Sequence, residues 1–435
     1  MKNKVVLRFN IFKNTLRFLG PGLITGASDD DPSGIATYSQ AGSKFGLGML
    51  WLAIFLYPLI TVIQEMCARI GLATGDGIAG TMRRKYSKKV VFPLVSLLIV
   101  SNTINIGADI GAMAASVTLV FPQIPIIVIT ISFAAFILVA EILVPYEKYV
   151  RILKYLTLSL FTYVATALIV GGNVFQIFLS SLIPHVEFTK DYAIMFVAIF
   201  GTTISPYLFF WQASEESEED VAKHKIKEIG HGEPKISRKE VKIMRMDVGV
   251  GMAFSIMIMS SIIVTTAGSL HAKGITDIST AEEAAKALQP LVKTFPYSGE
   301  IAEVIFALGI IGTGLLAIPV LAGSSAYAIS DTFGWKQGLG KKFKQAKPFY
   351  LVIGVSTIIG LGINFVNIDP IKALIYTAVI NGITAVPILF AILRIANDKK
   401  ILEDKTNGPV SNLLGWLTFM IMGISVIILF FTWSG

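Results

Sequence analysis

The sequence predicts an all-α membrane protein, built as a five-plus-five inverted repeat with an eleventh helix appended. Three observations predict this fold. Apolar stretches of membrane-crossing length recur along nearly the whole chain, basic residues alternate between successive connections, and the first span of each half is interrupted. Of the 435 residues, 54% are apolar and only 15% charged, whereas soluble domains carry about 25% charged residues. Roughly 20 apolar residues cross the ~30 Å of hydrocarbon in a bilayer.

Taken in order, the spans are expected at 18–43, 46–72, 90–120, 123–144, 151–172, 191–217, 244–270, 298–331, 348–366, 370–396 and 411–433. The ninth is barely long enough, and the third must tilt or project beyond the bilayer. Residues 1–17 precede the core, which runs over 18–396 as a first repeat (18–172) and a second (191–396); the eleventh helix is 411–433. The N-terminal segment is basic, but a full span follows it rather than a short apolar stretch with a cleavage site. No removable signal peptide is expected.

Assigning connections to alternate sides places 31 of the 37 lysines and arginines on the side of the N-terminus. By the positive-inside rule that side is cytoplasmic, which puts the C-terminus outside the cell (inner) membrane. The net charge of +8 therefore reads as topology and not as a nucleic-acid surface. The single cysteine, Cys67, rules out an intrachain disulfide and a thiolate cage. His185, His224, His231 and His271 all fall in expected loops, so no imidazole–thiolate zinc or copper site is expected within the membrane. No GxxxxGK[ST] motif is present, so ATP-driven pumping by this chain is not supported. No enzyme activity, cofactor or obligatory protein partner is expected.

The first span contains Asp29-Asp30-Asp31-Pro32-Ser33-Gly34, and the sixth contains Thr202-Thr203-Ile204-Ser205-Pro206. Proline removes a backbone donor and disfavours helix in the residue before it, and Gly34 eases unwinding. The connection Glu215–Lys242, with Gly230, Gly232 and Pro234, is expected to be the longest inner connection and is charged. Breaks at corresponding places point to a central transport site. Freed carbonyls can face a cation there, provided they line a cavity and not lipid. Carboxylates beside them supply the hard oxygens that suit magnesium, calcium and manganese.

Asp31 is where the freed backbone and the charge coincide, and intramembrane ionisable residues are functional by default. Asp29 and Asp30 either join that site or sit in a solvated mouth. In the third span Asn102, Asn105 and Asp109 share one helical face; such a stripe lines an aqueous path or glues helices together. Glu65 and Arg69 are spaced for an internal salt bridge. Tyr207, Trp211 and Gln212 follow the second break, with packing the default for the aromatics. Asn381 lies mid-span, as a packing hydrogen bond or as a ligand.

These residues resemble the NRAMP family of divalent metal transporters. Gly20-Pro21-Gly22, Asp31-Pro32-Ser33-Gly34 and Gln40-Ala41-Gly42 are similar to its first-helix signature G-P-G…D-P-G-N…Q-A-G. Gln64 to Gly75 resembles the end of its second helix, Gly201 to Pro206 its sixth-helix signature A/G-T-x-M-P-H, and Phe306 to Phe333 its eighth helix. The resemblance implies a LeuT-like fold and metal ligands at Asp31, at Gly34 (the signature Asn), at the Thr202 carbonyl and at Ser205 (the signature Met).

Two of those ligands are altered. Replacing the thioether by Ser205 removes discrimination in favour of softer metals, and Gly34 leaves room for water still on the ion. Magnesium keeps much of its hydration shell, so the expected cargo is Mg²⁺, with Mn²⁺ also admitted, as in the NRAMP-related magnesium transporters. The family's sixth-helix histidines correspond to Tyr207 and Gln212, and its third-helix acidic pair to Asn105 and Ala108, with Asp109 one residue on. Import weakly or not coupled to protons is therefore expected. Asp30, Asn105, Asp109, Tyr207, Gln212 and Asn381 are the possible ion pathway, and Asp109 with the Glu215-Glu216-Glu218-Glu219 cluster is an alternative relay. The alternatives are a proton-coupled Mn²⁺/Fe²⁺ transporter, a cation-coupled amino-acid symporter on the same fold and, remotely, a membrane phosphotransferase.

Overall fold

The computed structural model describes residues 20–144, 157–170, 172–366 and 368–433. The expected N-terminal segment 1–17, the first two residues of span one, and Lys148, Arg151 and Lys154 lie outside the described residues.

The first half comprises α1 (Pro21–Asp29), α2 (Pro32–Phe45), α3 (Trp51–Thr74), α4 (Ile78–Lys85), α5 (Lys88–Val120), α6 (Ile126–Leu143) and α7 (Phe161–Val170). After α8 (Val174–Leu182), the second half comprises α9 (Lys190–Thr203), α10 (Pro206–Ala222), α11 (Arg238–Ser269), α12 (Ser298–Phe333), α13 (Lys347–Ile363) and α14 (Pro370–Ala396). The last helix is α15 (Pro409–Trp433). Eight helical segments among the described residues are long and apolar enough to cross a membrane: α3, α5, α6, α9 with α10, α11, α12, α14 and α15. Helix α13 is a shorter apolar helix, and α1 and α2 are the two parts of the interrupted first span.

Local chemistry sets several ends. Helix α11 opens on a capping box in which Ser237 and Glu240 satisfy each other's backbone N–H groups. Helix α3 closes on Gly75, whose left-handed φ of 62° returns its N–H to the Gly71 carbonyl. One end differs from the sequence expectation. The charged connection does not begin at Glu215, because α10 continues to Ala222. Tertiary partners hold those glutamates in place: Glu218 Oε1 accepts from Tyr327 Oη at 2.7 Å and from the Leu339 N–H at 2.8 Å.

Among the described residues, several basic connections pair with one another. At the basic end Lys85 pairs with Asp398 at 2.7 Å, Lys341 with Glu228 at 2.9 Å, and Arg69 donates to the Lys405 carbonyl. At the other end Lys44 pairs with Asp191 at 2.6 Å, and His271 Nδ1 lies 2.8 Å from the Ser43 carbonyl. Lys85 holds the Asp398 carboxyl below the usual carboxylate range.

Helix α1 packs on α11, and α10 packs on α3, so one part of each interrupted span rests on the second span of the opposite half. Both contacts are made by small residues that let backbones touch. A Cβ on Gly26 would lie 2.2 Å from the Gly251 carbonyl oxygen, and one on Gly71 would lie 2.1 Å from that of Ala213. Apolar tails solvate lipid-facing leucine as well as protein does, so this close approach is what selects the pairing. Gly26→Leu is expected to destabilise the fold by about 3 kcal/mol or more, read as loss of monodisperse protein or a lowered Tm in detergent, while Leu at open Gly354 is tolerated.

Candidate functional site

The two breaks have the same shape. Asp30 ends α1 at φ −86°, ψ 55°, and Asp31 then adopts extended backbone at φ −69°, ψ 173° before Pro32. Ile204 ends α9 at φ −106°, ψ 59°, and Ser205 is extended at φ −80°, ψ 134° before Pro206. In each, proline forces the preceding residue out of helix and removes the N–H that would have continued the ladder. The interrupted helices also meet. Ser33 Oγ lies 3.2 Å from Thr202 Oγ1, Tyr38 Oη 2.8 Å from Thr203 Oγ1, and Tyr207 Oη donates to the Ser28 carbonyl at 2.9 Å.

Asp31 sits at the meeting point, 1% exposed. Its Oδ1 accepts from the Gly34 N–H at 2.7 Å and from Ser33 Oγ at 2.6 Å, and its Oδ2 accepts from Asn105 Nδ2 at 3.0 Å. The carboxylate thus caps the N-terminus of α2, where the helix dipole favours negative charge. Since Ser33 donates to Asp31, the Ser33–Thr202 contact takes its proton from Thr202. Gly34 faces the same space: a Cβ there would lie 3.3 Å from the Tyr38 ring and 3.4 Å from both the Asp29 carbonyl oxygen and Thr202 Oγ1. Ser205 turns its hydroxyl back on α9, donating to the Gly201 and Thr202 carbonyls at 2.6 and 2.7 Å. The hydroxyl occupies the carbonyl that the break frees.

The other expected residues divide. Asn105 belongs to the Asp31 cluster. Asp109 is fully buried with neither carboxylate oxygen hydrogen-bonded among the described residues. Asp30 and Asp29 are buried, not in a solvated mouth. Asn102 is glue, donating to the Leu321 carbonyl at 3.0 Å and to Ser324 and Ser325 hydroxyls at 2.9 Å on α12. Asn381 accepts from Ser101 and ties α14 to α5. Gln212 donates to Glu216 along its own helix at 3.0 Å, two turns beyond the break. The Glu65–Arg69 pair forms at 3.0 Å and gains Arg245 at 2.9 Å.

Sequence reasoning missed Ser33, Tyr38 and Thr203, whose roles depend on the two breaks facing each other. It also missed Asp247. That carboxylate accepts from the Gly20 and Gly22 N–H groups at 3.0 and 2.7 Å and so holds the start of α1 to α11. An ionisable residue in an apolar span was the available signal.

No group of three or more His, Cys, Asp or Glu side chains among the described residues forms a metal cage. A cavity of about 400 Å³ lies elsewhere, at the basic end, lined by Asp76, Arg83, Arg84, His231, Asp331 and Gln337 among others. Burial there raises the Asp76 carboxyl above its ordinary range against the pull of Arg84, 3.1 Å away.

The sequence profile of the Natural resistance-associated macrophage protein-like family (Nramp) matches residues 22–432. The chain belongs to the Nramp family. As an Nramp protein it is a multi-pass membrane transporter of divalent metal ions, and the family is not one of enzymes. Its fold is similar to that of the Eremococcus coleocola manganese transporter solved with an aromatic bis-isothiourea compound. That match has a TM-score of 0.74 at 16% identity and covers 96% of this chain and 87% of that one. MhsT in complex with L-phenylalanine matches with a TM-score of 0.61 at 11% identity, over 95% of this chain and 98% of that one. Mhp1 with bromovinylhydantoin bound, a nucleobase-cation-symport-1 transporter, matches at 0.54 and 12% identity, over 95% and 92%. The fold is thus the LeuT-like one that Nramp proteins share with transporters of organic solutes.

Asn105→Ala removes the donor to Asp31 Oδ2. Leaving a buried carboxylate oxygen bare costs about 1–3 kcal/mol, so the variant is expected to show a lowered Tm and reduced metal uptake in proteoliposomes; unchanged values in both assays would place Asn105 outside the site.

Proposed function

We propose that this Nramp protein imports Mg²⁺, with Mn²⁺ also accepted, across the cell (inner) membrane, weakly or not coupled to protons. It belongs with the divergent, magnesium-transporting branch that its two altered signature positions resemble. The N-terminus is cytoplasmic and the C-terminus outside, since 31 of the 37 basic residues sort to the N-terminal side. In this reading Asp31 is the charged ligand, and the Thr202 carbonyl, Ser205 and the space beside Gly34 complete the site. Asp30, Asn105, Asp109 and Tyr207 line the pathway.

One observation carries the reading: every polar group presented where the breaks meet is a hard oxygen or an amide. Ser205 offers a hydroxyl engaged with carbonyls 2.6 and 2.7 Å away, where the family signature has a thioether. Gly34 offers no side chain at a point 3.4 Å from the Asp29 carbonyl oxygen and Thr202 Oγ1. Oxygen ligands and unfilled space suit an ion that keeps part of its water, as Mg²⁺ does. A divalent cation gains about 4.6 kcal/mol per 100 mV of inside-negative potential, which drives uptake without a second ion. Tyr207 replaces a titratable family histidine and spends its hydroxyl on the Ser28 carbonyl.

A second reading, proton-coupled Mn²⁺ transport, is favoured by buried Asp109, a carboxylate without a partner among the described residues. Proteoliposomes loaded with a pH dye separate the two. At zero imposed potential, Mg²⁺ uptake is expected to leave the lumen unacidified, and metal-driven acidification would overturn the uncoupled reading. Asp31→Ala is expected to abolish uptake in a protein that still folds. Gly34→Asn combined with Ser205→Met is expected to shift the Mn²⁺:Mg²⁺ uptake ratio by about tenfold toward Mn²⁺, equivalent to ~1.4 kcal/mol; an unmoved ratio would remove these positions from selectivity.

A further inference from the structure

The demand for positive charge at the breaks is not greatest at Asp31. That carboxylate caps α2 and has three donors, at 2.6, 2.7 and 3.0 Å. Asp29 and Asp30 stand one helix end away, in the opposite environment. They close α1, where the macrodipole and the last unpaired carbonyls are negative. Both are 0% exposed. Ser255 Oγ on α11 donates to Asp29 Oδ2 and lies 3.5 Å from Asp30 Oδ1. Asp29 Oδ1 and Asp30 Oδ2 are buried and without a hydrogen-bond partner. None of the ion pairs among the described residues involves Asp29, Asp30 or Asp31. The charges that act on the pair are one another and Asp31.

Two adjacent buried carboxylates with one shared hydroxyl donor stay charged only if something positive sits beside them, and otherwise one takes up a proton. A water could supply hydrogens but no charge. We propose that Asp29 and Asp30, with Ser255, form a second divalent-cation site on the α1 side of the break, distinct from the Asp31 site. It rests on the reading of Asp31 as the central ligand. Its ligands are hard: two carboxylates, a hydroxyl and the carbonyl end of a half-helix, the donor set that Mg²⁺ and Mn²⁺ take. The site gives an ion leaving Asp31 a place to rest between the centre and the end of α1 that Asp247 anchors.

Mn²⁺ is the probe, because it can be counted by titration and located by anomalous scattering. Full-length protein in detergent is expected to bind two Mn²⁺ per chain, with anomalous peaks beside Asp31 and beside the Asp29–Asp30 pair. D29N/D30N is expected to bind one, at Asp31, and D31N one, at the pair. Ser255→Ala, a milder change, is expected to keep both ions while weakening the second about tenfold. One ion in the wild type, lost in D31N and kept in D29N/D30N, overturns the second site and leaves the central reading standing. Two ions kept in D31N but one lost in D29N/D30N sinks the central reading and leaves the second site standing. Loss of all binding in a monodisperse D29N/D30N protein merges the carboxylates into one site and overturns the proposal.

Discussion

Two prolines govern this molecule. Pro32 and Pro206 each remove the backbone donor that would have carried a helix through the middle of the membrane, and each forces the residue before it into extended backbone. In hydrocarbon such breaks are tolerable only where the freed groups face one another or a cavity. The two therefore lie together: the hydroxyls of Ser33, Ser205 and Tyr207 answer the carboxylate and carbonyls beside the breaks, and those of Thr202 and Thr203 meet Ser33 and Tyr38. The paired small-residue contacts of α1 on α11 and α3 on α10 hold the breaks in register.

The charge at the centre follows from the same constraint. Asp31 is stable because it begins a helix, and the dipole and three donors of α2 and its surroundings compensate it. Asp29 and Asp30 end a helix and have no such compensation. Three consecutive aspartates that look equivalent in the chain thus occupy two opposite electrostatic environments, one satisfied by protein donors and one with unpartnered oxygens. As an Nramp protein the chain carries divalent metal ions, and no group of three or more acidic, histidine or cysteine side chains among the described residues forms a cage for one.

Much of the fold could be read in advance because hydropathy and basic-residue alternation are one-dimensional signals. The span limits 370–396 and 298–331 compare with α14 at Pro370–Ala396 and α12 at Ser298–Phe333. The limit at Glu215 failed because glutamates normally mark a solvated loop, yet Glu218 finds Tyr327 and the Leu339 N–H in a distant segment. Asn102 and Asn105 show the same limit. Three residues apart on one face, they read alike, but one glues α5 to α12 and the other donates to Asp31.

The sequence by itself determined that the chain crosses a membrane repeatedly, that two spans break at Asp31-Pro32 and Ser205-Pro206, and that a carboxylate stands at the first break. Each of these is local: composition, a pyrrolidine ring, a charged residue in an apolar run. Only the tertiary structure decided which oxygens meet. It turned Ser205 back onto the Thr202 carbonyl, set Ser255 against Asp29 and Asp30, and closed Asp247 over the start of α1. Hydrogen bonds reach about 3 Å, and no pattern along the chain specifies which distant donor will stand within that distance.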